Sequence, residues 1–208
     1  MAINHEKKLI FIHIPKTAGT SIYKSMGVED ISYQNKFLGH KSIENYKEQY
    51  KKYWDAYLKF TVVRNPIDRF ISAYKFNKMK NSFWHSSNSE ELPKNKHYEI
   101  CNSLDINEYV SYLYKNPRNH ELHTLPQMWF IENKYKKIEV DYIVKYENLN
   151  EDLKKIGVNL TERLNVSTIN DINSIRLTRR SKEFLYRMYE VDYNFFYPNN
   201  NEKTISYS

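Results

Sequence analysis

The chain has 208 residues, a formal net charge of +7, 40% hydrophobic and 15% aromatic residues, and one cysteine. This composition excludes a disordered chain, an internal disulfide and a Cys/His zinc module. No run of about twenty apolar residues is present, so no transmembrane segment is expected. The basic excess suits an anionic partner, whether a nucleotide, a sulfated sugar or nucleic acid, and a merely solvated surface equally well. Residues 1–8 read as a polar lead-in without signal-peptide character, which sets the expected location as cytoplasmic.

Leu9 to Ile14 is an apolar run rich in β-branched and aromatic residues, the pattern of a buried parallel strand. Pro15 and Gly19 break it, with Lys16, Thr17, Thr20 and Ser21 between and after them. Ile22 and Met26 then share one face of an expected helix. Strand, polar turn and helix is the arrangement that aims backbone N–H groups at a phosphate. The order is not that of a Walker A loop, because Lys16 precedes the only Gly of the turn. Alone, it also fits a plain structural turn with a lysine in it.

The run P-K-T-A-G-T-S resembles the 5′-phosphosulfate loop of sulfotransferases that use PAPS (3′-phosphoadenosine 5′-phosphosulfate). The likeness lies on the carbohydrate branch that includes the heparan and chondroitin enzymes. It implies that Lys16, Thr17, Ala18, Gly19, Thr20 and Ser21 hold the phosphosulfate, with Lys16 also neutralising the leaving oxygen. After an irregular stretch, Gly39-His40 precedes a helix expected from Lys41 to about Tyr53. A similar G-H step carries the catalytic base in the 2-O-sulfotransferases. That resemblance makes His40 the expected base; a histidine at a helix start also serves as a solvated or capping residue.

Phe60 to Arg64 reads as a second buried strand, stopped by Asn65 and Pro66, with Pro66 suited to the first turn of a helix. Ile67, Phe70, Ile71 and Tyr74 form the apolar stripe of that helix. The segment R-N-P-I-D-R-F-I-S-A-Y resembles the family's 3′-phosphate motif. It implies that Arg64 and Ser72 hold the 3′-phosphate, a task suited to a planar guanidinium and a hydroxyl. Arg69 is expected to be structural.

Residues 80–103 read as a long polar loop, in which Trp84, His85, Lys94, Lys96 and His97 either meet an acceptor or form a surface insertion. A helix is expected over 105–115. The segment from Asn119 to Phe130 resembles the family stretch where a His and a P-Q step precede a helix. It carries over His123 and Gln127 as acceptor-side or scaffold residues, with Trp129 expected to pack. Val140 to Lys145 is a third strand, followed by the family-like Y-E-N-L step and a helix ending near Gly157. Arg176, Arg179 and Arg180 form a basic cluster with no individual role assigned. A last helix is expected over 181–189, capped by Ser181; Asp192 to Tyr197 then resembles the family's C-terminal ending, and 198–208 reads as a frayed tail.

The expected fold is therefore one α/β domain over residues 1–208: a small parallel sheet flanked by helices, like the P-loop-kinase-related sulfotransferase fold. The resemblance implies sulfuryl transfer from PAPS to a hydroxyl, with a carbohydrate the favoured acceptor, PAP released and no metal required. Two other readings stay open, a P-loop-type nucleotide kinase and a non-enzymatic nucleic-acid or polyanion binder. No RNA-binding signature occurs, so no nucleic-acid partner is expected. The acceptor is open among a saccharide, a lipid-linked sugar, a small alcohol and a tyrosyl peptide. Oligomeric state is not legible.

Overall fold

The computed structural model describes residues 2–28, 41–79, 96–161 and 175–198. His40, Trp84, His85, Lys94 and the tail from 199 lie outside the described residues. Four strands form one sheet in the order β1–β2–β3–β4. They are β1 (Ile3–Asn4), β2 (Leu9–Ile12), β3 (Leu58–Val63) and β4 (Tyr142–Lys145). β2, β3 and β4 are parallel, with Phe11 opposite Phe60 and Thr61 opposite Ile143. The architecture is the expected α/β one, a mostly parallel sheet flanked by helices.

β2 is buried along its whole length and β3 from Phe60 onward, as a strand covered on both faces must be. Each fully buried Ile, Val or Phe there contributes about 1.5–3 kcal/mol of apolar burial. The one polar side chain in this part of β3 is satisfied, because the Thr61 hydroxyl donates to the Ile12 carbonyl at 2.8 Å. The lead-in reading of residues 1–8 is corrected. Ala2 and Ile3 are buried, and β1 folds back antiparallel onto β2 with Ile3 facing Ile10.

The helices are α1 (Gly19–Ser25), α2 (Ile43–Gln49), α3 (Pro66–Lys78), α4 (Lys96–Ser103), α5 (Ile106–Lys115), α6 (Met128–Ile131), α7 (Leu149–Lys155), α8 (Arg179–Met188) and α9 (Glu190–Phe196). α1 presses Ile22 and Tyr23 into the core, where the Tyr23 ring meets Phe11 edge-on at 5.3 Å. α3 packs Phe70 and Tyr74 against Tyr109 of α5 at 5.6 and 5.7 Å between ring centres.

Four further expectations are corrected. The long loop ends early, because residues 96–103 form α4; His97 and Cys101, four apart, share its buried face. His97 is therefore an interior residue, with Nδ1 2.7 Å from the Tyr109 hydroxyl. The helix over 41–53 is shorter, and residues 51–53 form a separate 3-10 turn. Ser181 is not the cap of α8; Thr178 is, accepting from the Ser181 N–H at 3.1 Å. Trp129 is 45% exposed and does not fill the core.

Candidate nucleotide-binding site

The three parallel strands end on one edge, and each hands over a residue of the site. β2 leads into the loop 13–18, β3 into Arg64, and β4 into Tyr146. In open parallel sheets this carboxyl edge is where ligands bind.

The first loop twists through two left-handed residues, Lys16 at φ 69° and Ala18 at φ 70°. Such alternation is how successive N–H groups come to converge into an anion nest. Ala18 is also the N-cap of α1 and makes no side-chain capping bond. The cap position where Ser, Thr, Asn or Asp usually stands thus holds a residue with no acceptor to offer. Gly19 is fixed by a neighbour rather than by its torsion, because a Cβ there would enter the His13 ring. His13 is buried, stacked on Phe11 at 5.5 Å and edge-on to Tyr23 at 5.4 Å. The helix start therefore sits directly on the sheet edge. Thr17 is fully buried, and its hydroxyl donates to the Ile14 carbonyl at 2.7 Å. Ser21 is buried as well, while Thr20 is half-buried.

The second turn is built differently. Asn65 caps α3, its side-chain oxygen accepting from Ile67 N at 3.0 Å and Asp68 N at 3.4 Å, and Pro66 opens the helix. The backbone N–H of Asn65 itself donates to Glu147 Oε1 at 2.7 Å. Arg64, just before the cap, lies over the Tyr146 ring at 4.3 Å, and its Nη1 is 3.5 Å from the Lys16 carbonyl. The two loops thus meet through Arg64. Ser72 lies on α3 and is half-buried. Arg69 is 1% exposed and structural as expected. It ties the loops to the segment before α6, with Nε donating to Pro15 O at 2.9 Å and Nη1 to Leu125 O at 2.7 Å.

Behind the lysine stands a polar cluster. Lys16 Nζ lies 3.9 Å from the centre of the Phe76 ring, a cation–π contact. The same ring meets His123 at 5.0 Å. His123 is buried, with Nδ1 2.6 Å from Glu121 Oε2. Asn77 donates to the other Glu121 oxygen at 3.1 Å. Burial, then the charge of Arg64, lowers the Lys16 ammonium to about 8; Glu121 opposes the shift and Arg69 adds to it. Burial raises Glu121, but attraction to His123 and the hydrogen bonds from His123 and Asn77 bring it down to about 2.

Gln127 is fully buried beneath Arg64. Its Oε1 accepts from the Arg64 N–H and its Nε2 donates to the Arg64 carbonyl, both at 2.9 Å. Asp192 of α9, also fully buried, accepts from Gln127 N at 2.8 Å and Met128 N at 3.0 Å.

Lys16, Arg64, His123 and Gln127 are thus gathered at one end of the sheet, with the loop 17–21 beside them. Sequence reasoning did not single out Phe76, Asn77 or Glu121, and it met Tyr146 and Asp192 only as parts of family-like segments with no site role. The signal for Tyr146 was its position directly after the third strand; Phe76, Asn77 and Glu121 bear no local mark. The basic cluster is dispersed, with Arg179 paired to Glu183 at 3.3 Å and Arg180 over Phe184 at 5.3 Å. A cleft of about 520 Å³ between α5 and α8, lined by Asn107, Tyr112, Lys115 and Arg180 among others, shares no residue with the two loops. Among the described residues no group of three or more His, Cys, Asp or Glu is placed to hold a metal ion. No helix among them is long and apolar enough to cross a membrane.

No curated protein and no solved structure matches the chain. The family model described as "Sulfotransferase family" matches residues 1–198. An uncapped helix start after one parallel strand, an arginine after the next, and a match over nearly the whole length lead to one conclusion: the chain belongs to the sulfotransferase family.

Proposed function

We propose that this sulfotransferase takes its sulfuryl group from PAPS, passes it to a hydroxyl on a saccharide, and releases PAP. The observation that carries the reading is the meeting of two phosphate-suited units through Arg64, 3.5 Å from the Lys16 carbonyl. One unit offers backbone N–H groups and a lysine, the other a guanidinium, and a nucleotide with phosphates on both 5′ and 3′ positions asks for both. The donor set fits that ligand. Loop N–H groups from Thr17 to Ser21 hold the 5′-phosphate, and Arg64 and Ser72 hold the 3′-phosphate. Thr17 acts through its backbone, its hydroxyl being engaged with Ile14.

The acceptor oxygen forms a bond to sulfur as the bond from sulfur to the 5′-phosphate oxygen breaks. The electron pair stays on that oxygen, and Lys16 meets the charge that develops there. The acceptor's proton passes to His40, whose ordinary pKa near 6.5 suits a base at neutral pH. No step calls for a metal. A cytoplasmic setting belongs to the same proposal, since a lone buried cysteine suits a reducing compartment.

The test is transfer of labelled sulfate from PAPS to a panel of oligosaccharides, alcohols and tyrosyl peptides. Saccharide labelling is expected. Labelling of peptide or alcohol alone overturns the acceptor, and no labelling with no PAP binding overturns the donor. In the same assay His40→Ala should lower turnover by roughly 10²–10⁴ with PAP affinity unchanged. Near-normal turnover would remove His40 as the base.

A further inference from the structure

We infer that Gln127 is a positioning residue, which with Asp192 sets the aim of Arg64 and so the protein's preference for a 3′-phosphate. This rests on the PAPS reading above. The carboxamide grips the N–H and the C=O of the same residue, each at 2.9 Å. Those two groups flank one Cα, so the pair of bonds pins both φ and ψ of Arg64, and with them the direction of its side chain. The grip falls where it is needed, because β3 pairs with β4 only as far as Val63 opposite Lys145. Arg64 is the first residue past the ladder. A tilt of about ten degrees at Cα carries the tip of an arginine by about 1 Å, the scale at which positioning is lost.

The carboxamide is itself fixed. It is fully buried, and Asp192 takes up both the Gln127 and the Met128 N–H. Gln127 Nε2 also lies 3.5 Å from Asp192 Oδ2. Burial pushes the Asp192 carboxyl up while these N–H bonds pull it down. At the far end the guanidinium rests on Tyr146 and reaches the Lys16 carbonyl. Arg64 is thus held at its backbone and at its tip. A guanidinium fixed in advance loses little freedom when it takes up a phosphate. Gln127 is fully buried and puts one hydrogen bond from each end of its carboxamide into Arg64, which makes Arg64 its main partner.

The test is calorimetry of PAP and ADP with the full-length protein. ADP lacks the 3′-phosphate and reports the rest of the site. Gln127→Ala should reduce the PAP-over-ADP preference about tenfold, with ADP affinity unchanged. In the double variant with Arg64→Ala, PAP should bind no more weakly than with Arg64→Ala alone, because Gln127 acts only through Arg64. A preference kept intact in Gln127→Ala, or losses that add in the double variant, overturns the inference. Should Gln127→Ala not fold, Asp192→Asn decides, since it keeps the side-chain size and one acceptor. A partial loss of preference is then expected, and an unchanged preference overturns the inference. A wild type that does not distinguish PAP from ADP fails the underlying PAPS reading instead.

Discussion

The molecule holds two strand–turn–helix units side by side, and they solve the same problem in opposite ways. After β2 the helix start carries an alanine cap with no side-chain acceptor, on a loop turned left-handed at Lys16 and Ala18. After β3 the helix start is closed by Asn65, which accepts from two of the first-turn N–H groups. An open helix end suits a phosphate bound by backbone. A closed one has its N–H groups occupied, so any grip there must come from side chains such as Arg64 and Ser72. The difference lies in one residue at each cap, and under the proposed function it divides the labour between the two loops.

The largest expected effect concerns the open unit. Lys16→Ala should lower turnover at saturating donor by roughly 10²–10³, the worth of one donor to developing charge. Single-turnover rates check it; a change in donor affinity alone would make Lys16 a ground-state anchor. The same lysine sets a pH dependence. Its pKa lies near 8 in the folded protein against an ordinary 10.5, so it carries its charge below about pH 8. PAP affinity should therefore fall as pH rises past that point, by at most about tenfold per unit. The slope should vanish in Lys16→Ala. Without ligand the sign reverses: the folded pKa is depressed, so folding becomes more favourable from pH 8 toward 10.5.

Next in size is Gly19→Ala. The added methyl would enter the buried His13 ring, so α1 or the ring must move. Overpacking of this kind costs about 1–3 kcal/mol, read as a lower Tm, and PAP affinity should fall with it. A variant of normal stability and affinity would show that the open unit tolerates a shifted helix.

The smallest effect belongs to the closed unit. Asn65→Ala removes the cap of α3 and should cost about 1 kcal/mol of stability, measured by denaturant titration. ADP affinity should be untouched, because under the proposed function the open unit alone binds that ligand's phosphates. A loss of ADP affinity equal to that of PAP would break the division of labour.

Much of this contrast was legible in the sequence. The apolar runs at 9–14 and 60–64, each followed by a turn residue and a helical stripe, already specified both units. Asn65 and Pro66 announced the second helix start. What stayed hidden depends on distance along the chain. Nothing local marks the Glu121–His123 pair as neighbours of Lys16, because the link runs through Phe76, more than forty residues earlier. Asp192 stands in the family-like ending over 192–197, but nothing local tells that it is fully buried beneath Gln127. α4 was missed because its inward face, the buried His97 and Cys101 with the partly buried Ile100, is short and stands among polar neighbours.

The most direct test of the central claim is calorimetry of PAP and ADP against the wild type and Arg64→Ala. Hydrogen bonds to a charged group contribute about 1.5–3 kcal/mol, so removing Arg64 should weaken PAP roughly 10- to 150-fold. ADP, which has no 3′-phosphate to meet Arg64, should bind both proteins alike and more weakly than PAP binds the wild type. Equal affinity for the two nucleotides in the wild type, or equal losses in Arg64→Ala, would contradict the account.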